Sequence, residues 1–261
     1  MERFLLKVLR KVVQLVAKTN SKLPHLIELD LQHMQGKGSG GDSTEVEARE
    51  ALKFMLRTSD THPIVLDVGA NIGLYSEAVR RIVPQATIFA FEPSSNARKK
   101  LEEKFIGDSS VTIVPLALGN SNSSQTLWAD SPGSGLASLT KRRLDHFGIK
   151  FNQAEKVDVV TLDSWADSKN VVPTLIKMDV EGHELDILKG GLKTVAATKV
   201  IQFEFGGCNI DTRTFFQDFW YLLTDLGFSI YRISQTGPIK LNQYSESDEC
   251  FRTTNYLAVR E

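Results

Sequence analysis

Three side chains suited to proton chemistry follow an apolar run in the second half of the chain. Asp179, Glu181 and His183 come at or just after the end of residues 175–180, which read as a buried strand that leads into a helix. Strand alternation brings Asp179 and Glu181 to the same side, and Gly182 allows a turn that would aim His183 toward a pocket. Open α/β sheets bind ligands beyond the carboxyl ends of their strands, so we expect chemistry here.

These side chains suit the removal of a proton from a weakly acidic hydroxyl. Histidine can act as a base near neutral pH, while Asp179 or Glu181 can orient the hydroxyl or hold a divalent cation that makes it more acidic. Asp179 has the strongest claim, because a charge that ends an apolar strand costs stability unless it has a partner or a function. Two further candidate carboxylates for the same pocket are Glu204 and Asp163.

Each of these roles has a structural alternative. His183 could be a solvent-facing turn residue, since a single histidine does not establish catalysis. Glu181 and Glu184 could be acids at a helix N-terminus that stabilise the helix dipole.

A glycine-containing block and a separate acidic residue form a second constellation. The sequence Ile64-Val-Leu-Asp-Val-Gly-Ala-Asn-Ile-Gly73 passes from an apolar run through two glycines into a helical pattern. It predicts a buried strand, a tight turn and a helix N-terminus, in which Gly69 and Gly73 let a ligand approach the backbone closely. Glu92 ends the next apolar run, where a carboxylate can accept hydrogen bonds from both hydroxyls of a ribose.

The spacing of this block disfavours phosphate-bearing ligands. Gly69-x-x-x-Gly73 differs from the G-x-G-x-x-G pattern of dinucleotide sites, and no G-x-x-x-x-G-K-[ST] pattern occurs. Asp67, at the end of the first strand, would repel a phosphate and attract a positive group. A ligand with a ribose, a positive centre and no phosphate is S-adenosylmethionine.

Five blocks, in order over roughly residues 45 to 205, carry a family resemblance. They are Asp67-Val-Gly-Ala-Asn-Ile-Gly73, Phe91-Glu-Pro93, Ala117-Leu-Gly119, Val159-Val-Thr-Leu-Asp163 and Lys177-Met-Asp-Val-Glu-Gly-His-Glu184. At these blocks the chain resembles the FkbM-type S-adenosylmethionine-dependent methyltransferases. The resemblance implies a cofactor site formed by Asp67, Gly69, Ala70, Asn71, Gly73, Glu92, Pro93, Ala117 and Asp179. The residues predicted to be catalytic remain Asp179, Glu181 and His183, on the positional and chemical grounds given above.

The expected function is O-methylation that depends on S-adenosylmethionine. The resemblance implies an acceptor hydroxyl on a sugar, a polysaccharide end or a polyketide-type small molecule. Methylation of a nitrogen on a small molecule stays open, and so does a binding scaffold that keeps the cofactor fold without turnover. An NAD-dependent oxidoreductase is a further alternative. The cysteines, Cys208 and Cys250, lack zinc-ligand spacing, and no residue is assigned as a metal ligand, so a divalent cation stays open as an additional cofactor.

The apolar runs indicate a sheet that positions these residues. Candidate strands are 64–68, 86–91, 111–114, 175–180, 200–205, 228–233 and 255–259, and candidate helices are 74–82, 97–105, 185–192 and 215–226. Their alternation predicts an α/β fold with a mostly parallel sheet and helices on both faces. The resemblance implies a Rossmann-like class I methyltransferase fold, with seven strands of which the last is antiparallel. The polar stretch 119–173 reads as a flexible loop that could cover an acceptor.

The first residues of the chain need a separate interpretation. The segment 1–17 repeats apolar residues at helical spacing, interrupted by lysine and arginine, and so predicts a basic amphipathic helix rather than a membrane span. Such a helix could pack on the domain, on a second subunit, or weakly on an anionic membrane. The stretch 36–43 is rich in glycine and serine and reads as a linker or an active-site flap. We therefore expect an N-terminal segment over 1–43 and a catalytic domain over 44–261.

Composition restricts the partners. A chain of 261 residues fits one full-size domain with an extension, and a net charge of −1 offers no general attraction to nucleic acid. We therefore expect a small-molecule or glycan acceptor, no nucleic-acid partner, and a cytoplasmic protein with peripheral membrane contact through 1–18. Nothing in the sequence indicates the oligomeric state.

Overall fold

The computed structural model describes residues 2–18, 20–38, 44–58 and 60–260. Most of the predicted strands and helices occur within one or two residues of their expected bounds. The helices are α1 (Glu2–Ala17), α2 (Leu23–Met34), α3 (Thr44–Met55), α4 (Leu74–Ile82), α5 (Ser95–Lys104), α6 (Leu162–Lys169), α7 (Glu184–Lys189), α8 (Leu192–Ala197), α9 (Cys208–Thr212) and α10 (Phe216–Asp225). The strands are β1 (Ile64–Val68), β2 (Thr87–Phe91), β3 (Val111–Val114), β4 (Ala117–Gly119), β5 (Ser123–Ala129), β6 (Gln153–Thr161), β7 (Leu175–Met178), β8 (Val200–Phe205), β9 (Ser229–Ser234), β10 (Gly237–Leu241) and β11 (Thr254–Val259).

The described residues form one large sheet with the order β10-β9-β11-β8-β7-β1-β2-β3. The neighbours among β8, β7, β1, β2 and β3 pair in parallel, and β11 lies antiparallel between β8 and β9. This arrangement confirms the α/β, Rossmann-like fold with an antiparallel last strand. One difference from the expected seven strands is β10, which adds an eighth strand at the edge as a hairpin with β9.

Two apolar cores cover the two faces of the large sheet, as the alternation of strands and helices predicts. Along β1, Leu66 and Val68 belong to one core and Val65 to the other, because successive side chains of a strand point to opposite faces. The first core also holds side chains of α6, α7, α8 and α10, and the second holds side chains of α3, α4 and α5. Helices on both faces fix the strand ends that carry the candidate site.

A second, smaller sheet corrects the interpretation of residues 119–173 as a loop. It has the order β4-β6-β5, with β5 and β6 antiparallel from Ser123 opposite Val159 to Ala129 opposite Gln153. Val157 and Val159 are buried on one face, while Lys156 and Asp158, which alternate with them, are exposed. A one-sided sheet therefore resembles a polar loop in composition. The connection 130–152 between β5 and β6 is irregular, apart from a short 3-10 turn at Asp145–Phe147.

The segment before the first strand begins with the amphipathic helix α1, as predicted, and continues with α2, which the sequence interpretation missed. Gly36, with φ of +82°, passes against the backbone of Ile233 in β9, and Lys37 is buried beside Asp248 at 3.7 Å. The expected linker therefore begins in contact with the sheet, and its residues 39–43 lie outside the described ranges. No helix within those ranges is both long enough and apolar enough to cross a bilayer.

Candidate active site

A cavity of about 320 Å³ opens at the carboxyl ends of β1, β2 and β7. Its walls include most of the residues predicted from the sequence, namely Gly69, Ala70, Asn71, Glu92, Pro93, Ala117, Asp179, Glu181 and His183. The irregular connection 130–152 contributes Ser134, Gly135, Ala137 and Leu139 to the same cavity. Sites for small molecules commonly have volumes of about 300–1,000 Å³, so the space suits one such ligand.

Glu92 has the geometry expected of a carboxylate that receives hydroxyl groups. Its Oε2 accepts a hydrogen bond from the backbone N–H of Asn71 at 2.8 Å, and its Oε1 accepts one from Ser94 at 2.8 Å. Burial raises the pKa of Glu92 to about 7, although both backbone N–H groups act against this shift. A carboxylate oxygen has two lone-pair positions, so each oxygen retains one for a ligand in the cavity.

The glycines of the first block are required by contacts within the protein. Gly69 has φ of +79°, and a Cβ there would lie 1.9 Å from the carbonyl oxygen of Asp179. Gly73 has φ of +81°, and a Cβ there would lie 2.6 Å from Leu101 and 2.7 Å from Phe105. Gly69 lines the cavity, but Gly73 does not, so the expectation that Gly73 admits a ligand is replaced by close packing of α4 on α5.

Asp67 lies behind the cavity wall rather than on it. It is fully buried, and its Oδ2 accepts hydrogen bonds from the backbone N–H of Ser76 at 3.2 Å and from its hydroxyl at 2.7 Å. The Nζ atom of Lys177 lies 3.2 Å from Oδ1 of Asp67. The expectation that Asp67 presents its charge to a cationic ligand therefore does not agree with this placement, because Lys177 already supplies the cation.

Lys177 is a buried cation that the sequence interpretation left without a role. It donates to the carbonyl oxygen of Gly69 at 3.0 Å, and its Nζ lies 3.7 Å from Oδ2 of Asp179. Burial alone would lower the pKa of Lys177, but the charges of Asp67 and Asp179 outweigh it and hold that pKa above its usual range. Lys177 therefore stays charged and links the ends of β1 and β7.

Asp179 and Glu181 both face the cavity, but their surroundings differ. The side chain of Asp179 is 42% exposed, whereas that of Glu181 is 15% exposed and is bound by the guanidinium of Arg142. Burial, followed by the charge of Asp179, raises the pKa of Glu181 to about 7 against the opposing effect of Arg142. Glu181 also has φ of +55°, and its carbonyl oxygen accepts a hydrogen bond from Ser138 at 2.8 Å.

Both ring nitrogens of His183 have partners. Nδ1 lies 2.9 Å from Oδ2 of Asp186, and Nε2 lies 3.0 Å from the hydroxyl oxygen of Thr140. The hydrogen bond with His183 lowers the pKa of Asp186, so Asp186 is an acceptor and Nδ1 carries the proton. Nε2 is then the basic nitrogen, and it accepts from Thr140.

Glu184 supports the turn that carries these groups. It is fully buried, and its carboxylate accepts hydrogen bonds from the backbone N–H groups of Val180 at 2.8 Å and Gly182 at 3.1 Å. Burial raises the pKa of Glu184 to about 8. This placement agrees with the interpretation of Glu184 as a structural acid at the start of α7.

The two further candidates have different surroundings. Glu204 lies in the interior beside Glu181 and Cys208, where burial and then the charge of Asp179 raise its pKa well above the ordinary value. Asp163 does not line the cavity, since its carboxylate accepts from the backbone N–H groups of Lys193 and Thr194 at the start of α8. The expectation of Asp163 as a pocket residue is therefore wrong.

Several residues of this site escaped the sequence interpretation. Arg142 and Thr140 come from the insertion and contact Glu181 and His183 at sequence separations of 39 and 43, respectively, which no local pattern could reveal. Asp186 stands three positions after His183 at a helix start, so its spacing could have indicated the pair.

Comparisons with known proteins agree with the geometry. A family model described as a methyltransferase FkbM domain matches residues 67–230. The 2-O-methyltransferase NoeI of Sinorhizobium fredii is 26% identical over 55% of this chain and 63% of its own length. The hexuronic acid methyltransferase AglP of Haloferax volcanii is 28% identical over 54% of this chain and 55% of its own length. The match thus spans only about three fifths of these relatives.

A solved structure of similar shape is a methyltransferase FkbM from Methylobacillus flagellatus. It has 16% sequence identity and a TM-score of 0.48, and the alignment covers 81% of this chain and 47% of that one.

Proposed function

Because the chain belongs to the FkbM methyltransferase family, we propose that it transfers a methyl group from S-adenosylmethionine to a hydroxyl of a sugar, a polysaccharide end or a polyketide-type small molecule. One relative is named for transfer to an oxygen and another for a hexuronic acid, and a sugar hydroxyl fits both descriptions. The observation that carries the proposal is that Glu92, Asp179 and His183 line one cavity. A carboxylate that can bind the ribose of the donor and a general base thus face the same cavity.

The donor half of the cavity fits the nucleoside. Glu92, with one lone pair of each oxygen still available, would receive the ribose hydroxyls, while Gly69, Ala70 and Asn71 form the adjoining wall. Leu116 and Leu118 supply apolar surface for a flat ring. Bound S-adenosylmethionine supplies an electrophilic methyl group on a sulfonium centre. Asp179, half-exposed at the cavity wall, offers a negative charge for the amino acid part of the donor.

The acceptor half would use His183 as the general base. Asp186 holds Nδ1 with its proton, which leaves Nε2 to accept the proton of the acceptor hydroxyl. The acceptor takes the place of the Thr140 hydroxyl at Nε2. Residues 134–139 of the insertion border this region and would contact the rest of the acceptor. Proximity and orientation supply much of the rate in such a transfer.

Calorimetry with S-adenosylmethionine and S-adenosylhomocysteine tests the donor site, and a tritiated-methyl assay against extracted glycans tests transfer. We expect saturable binding of both compounds and labelled glycan that is stable to mild base, as an ether is. Absence of binding to either compound contradicts the proposal. Binding without a methylated product in a broad acceptor screen favours a scaffold that does not turn over.

Residues 44–261 are proposed as the catalytic domain and residues 1–43 as an accessory segment. The family match at 67–230 lies wholly inside the larger part. The contacts of Lys37 with Asp248 and of Gln35 with Arg232, whose Nε donates to the Gln35 carbonyl at 2.7 Å, attach the segment to the sheet. Limited proteolysis tests the division: cleavage first near 39–43 supports it, and first cuts inside the large sheet contradict it.

A weak contact between α1 and an anionic membrane surface is the second part of the proposal. Phe4, Leu5 and Leu9 are 69%, 58% and 55% exposed, and the same helix carries four basic residues at 3, 7, 10 and 11. An exposed apolar stripe beside cationic side chains suits the boundary of an anionic bilayer. Flotation with phosphatidylserine vesicles tests it, with Leu5→Glu/Leu9→Glu as the variant. Equal flotation of both proteins, or none, contradicts the contact.

A further inference from the structure

Three potential ligand atoms meet at the turn that follows β7 (residues 179–183, the catalytic turn), and the methyl transfer proposed above uses none of the residues that provide them. Glu181 follows β7, Glu204 lies at the end of β8, and Cys208 begins α9. One carboxylate oxygen of each glutamate and the sulfur of Cys208 all lie within 4.8 Å of one another. They sit at the carboxyl ends of two neighbouring parallel strands, and Glu181 reaches the cavity.

Glu204 shows that this cluster lacks a partner. Its residue is 8% exposed, and its carboxylate forms no hydrogen bond or ion pair with any residue in the described ranges. A carboxylate removed from water costs several kcal/mol unless a hydrogen bond, a counter-charge, a metal ion or a bound proton compensates it. The direction of Glu204, toward Glu181 and Cys208, therefore indicates where the compensating group binds.

The cation beside the cluster is shared with a carboxylate outside it. Within the described part of the chain, Arg142 contacts Glu181, but its Nε also donates to Asp211 at 3.1 Å, so this cation is shared between two carboxylates. Arg142 binds Oε2 of Glu181, and the other oxygen of that carboxylate remains available as a ligand. Arg142 would then orient Glu181 from behind, as groups around metal ligands commonly do.

The donor set selects the type of cation. Magnesium and calcium take oxygen ligands, whereas a thiolate together with carboxylates suits zinc and similar divalent transition metals. Zinc bonds of about 2.0–2.3 Å bring tetrahedral ligands to within roughly 4 Å of each other, so a modest closing of the cluster is sufficient. Cys208 now donates its thiol proton toward Oδ1 of Asn209 at 3.4 Å, and that proton would leave to solvent as the metal–sulfur bond forms.

We propose that Glu181, Glu204 and Cys208 bind one divalent transition-metal ion of the zinc type. Three protein ligands leave a fourth position open, as in catalytic zinc sites. Because Glu181 lines the cavity, that position faces the space in which an acceptor oxygen would lie. The site stands on the cluster itself and does not require methyl transfer to occur.

Cobalt(II) reports directly on a thiolate ligand, because a sulfur-to-cobalt charge-transfer band appears in the near ultraviolet. The full chain is stripped with a chelator and titrated with Co²⁺, and zinc content is measured after equilibrium dialysis. We expect saturable binding of one metal ion per chain with the thiolate band. Cys208→Ser should lose the band, and Glu204→Gln should weaken binding by at least about tenfold.

Cys250→Ser is the matched control, since Cys250 is the other free cysteine and lies outside the cluster. It should keep both the band and the affinity. Circular dichroism and S-adenosylhomocysteine binding on the same samples show whether each variant is folded. If Cys208→Ser does not fold, the metal affinity of Glu204→Gln tests the proposal. The proposal is overturned if the wild-type protein binds no Co²⁺ or Zn²⁺, or if binding survives these two changes. Donor binding without metal binding would leave the proposed methyl transfer intact.

Discussion

The Nδ1 atom of His183 lies 2.9 Å from Oδ2 of Asp186, one helical turn further along the chain. In the neutral imidazole, this contact places the ring proton on Nδ1 and leaves Nε2 facing the hydroxyl of Thr140. A carboxylate that holds a histidine in one tautomer is a recurrent way to prepare a general base. Asp186 is therefore a positioning residue for the proposed transfer.

Asp186→Asn should lower kcat while leaving the affinity for S-adenosylmethionine unchanged. Asparagine can donate to Nδ1 and stabilise the other tautomer, so Nε2 would no longer accept a proton. We expect a loss of about 10²–10⁴-fold, the usual range for general-base catalysis, with a changed pH profile. Steady-state kinetics of the double variant Asp186→Asn/His183→Asn, compared with His183→Asn alone, test whether the two residues act together. If the two residues act as one unit, the double variant is no slower than His183→Asn alone; additive losses contradict the assignment.

Glu92→Gln should weaken donor binding. A hydroxyl bonded to a charged acceptor contributes about 1.5–3 kcal/mol, and loss of the charge removes part of this for each ribose hydroxyl. We expect Kd for S-adenosylhomocysteine to rise by roughly 10–100-fold, measured by calorimetry. Glu103→Gln, an exposed glutamate on α5, is the control and should bind as the wild type does. Equal affinity of Glu92→Gln and wild type would exclude the ribose contact.

Asp179→Asn should abolish methyl transfer and leave the fold intact. The side chain is 42% exposed, so the substitution leaves no deeply buried group unpaired, yet it removes the negative charge at the centre of the cavity wall. Turnover with tritiated donor and urea unfolding measure the two effects separately. Asp158→Asn on the exposed side of β6 serves as the control. Retained turnover in folded Asp179→Asn protein refutes the catalytic role.

Gly69→Ala should destabilise the protein more than Gly107→Ala. Both glycines have φ near +80°, but a Cβ at position 69 meets the Asp179 carbonyl at 1.9 Å, whereas position 107 faces open space. The backbone conformation alone costs about 1–2 kcal/mol, which is what we expect for Gly107→Ala. Gly69→Ala should lower the free energy of unfolding by at least about 3 kcal/mol. Similar losses of unfolding free energy for the two variants in urea would contradict this prediction, because they would show that the backbone around Gly69 adjusts to a Cβ at no extra cost.

Glu184 should make stability fall as pH rises. Its pKa is raised from 4.5 to about 8, so in that window the folded protein keeps a proton that the unfolded chain has lost. The free energy of unfolding therefore decreases between these values, by an amount on the order of 5 kcal/mol for this group. Glu184→Gln has no such proton to lose and should show a flatter dependence in urea unfolding from acidic to mildly alkaline pH. A parallel dependence in both proteins contradicts the shift.

The large sheet was predictable because each of its strands has a recognisable apolar pattern in its own local sequence. Ile64–Val68 and Val200–Phe205 are mostly apolar runs that end at turn residues, as buried parallel strands do. The strands β5 and β6 expose one face, so their polar residues concealed them.

The site was predictable only where one short segment supplies it. Glu92 and His183 follow from motifs, but the partners that set their chemistry are distant in sequence or belong to another element. Asp67 illustrates the limit: the local pattern indicates a carboxylate at a crevice, and only the paired register of β1 and β7 shows that Lys177 neutralises it. Charge at such a position is a property of neighbouring strands taken together.

Arg142 links the small sheet to the large sheet. It belongs to the connection between the two strands of the small sheet, while its partners Glu181 and Asp211 belong to the rim of the large one. A change in the length or course of that connection would withdraw the guanidinium and release Glu181. Swapping this connection between relatives to alter acceptor choice would therefore also disturb the catalytic turn, unless the arginine were transplanted with it.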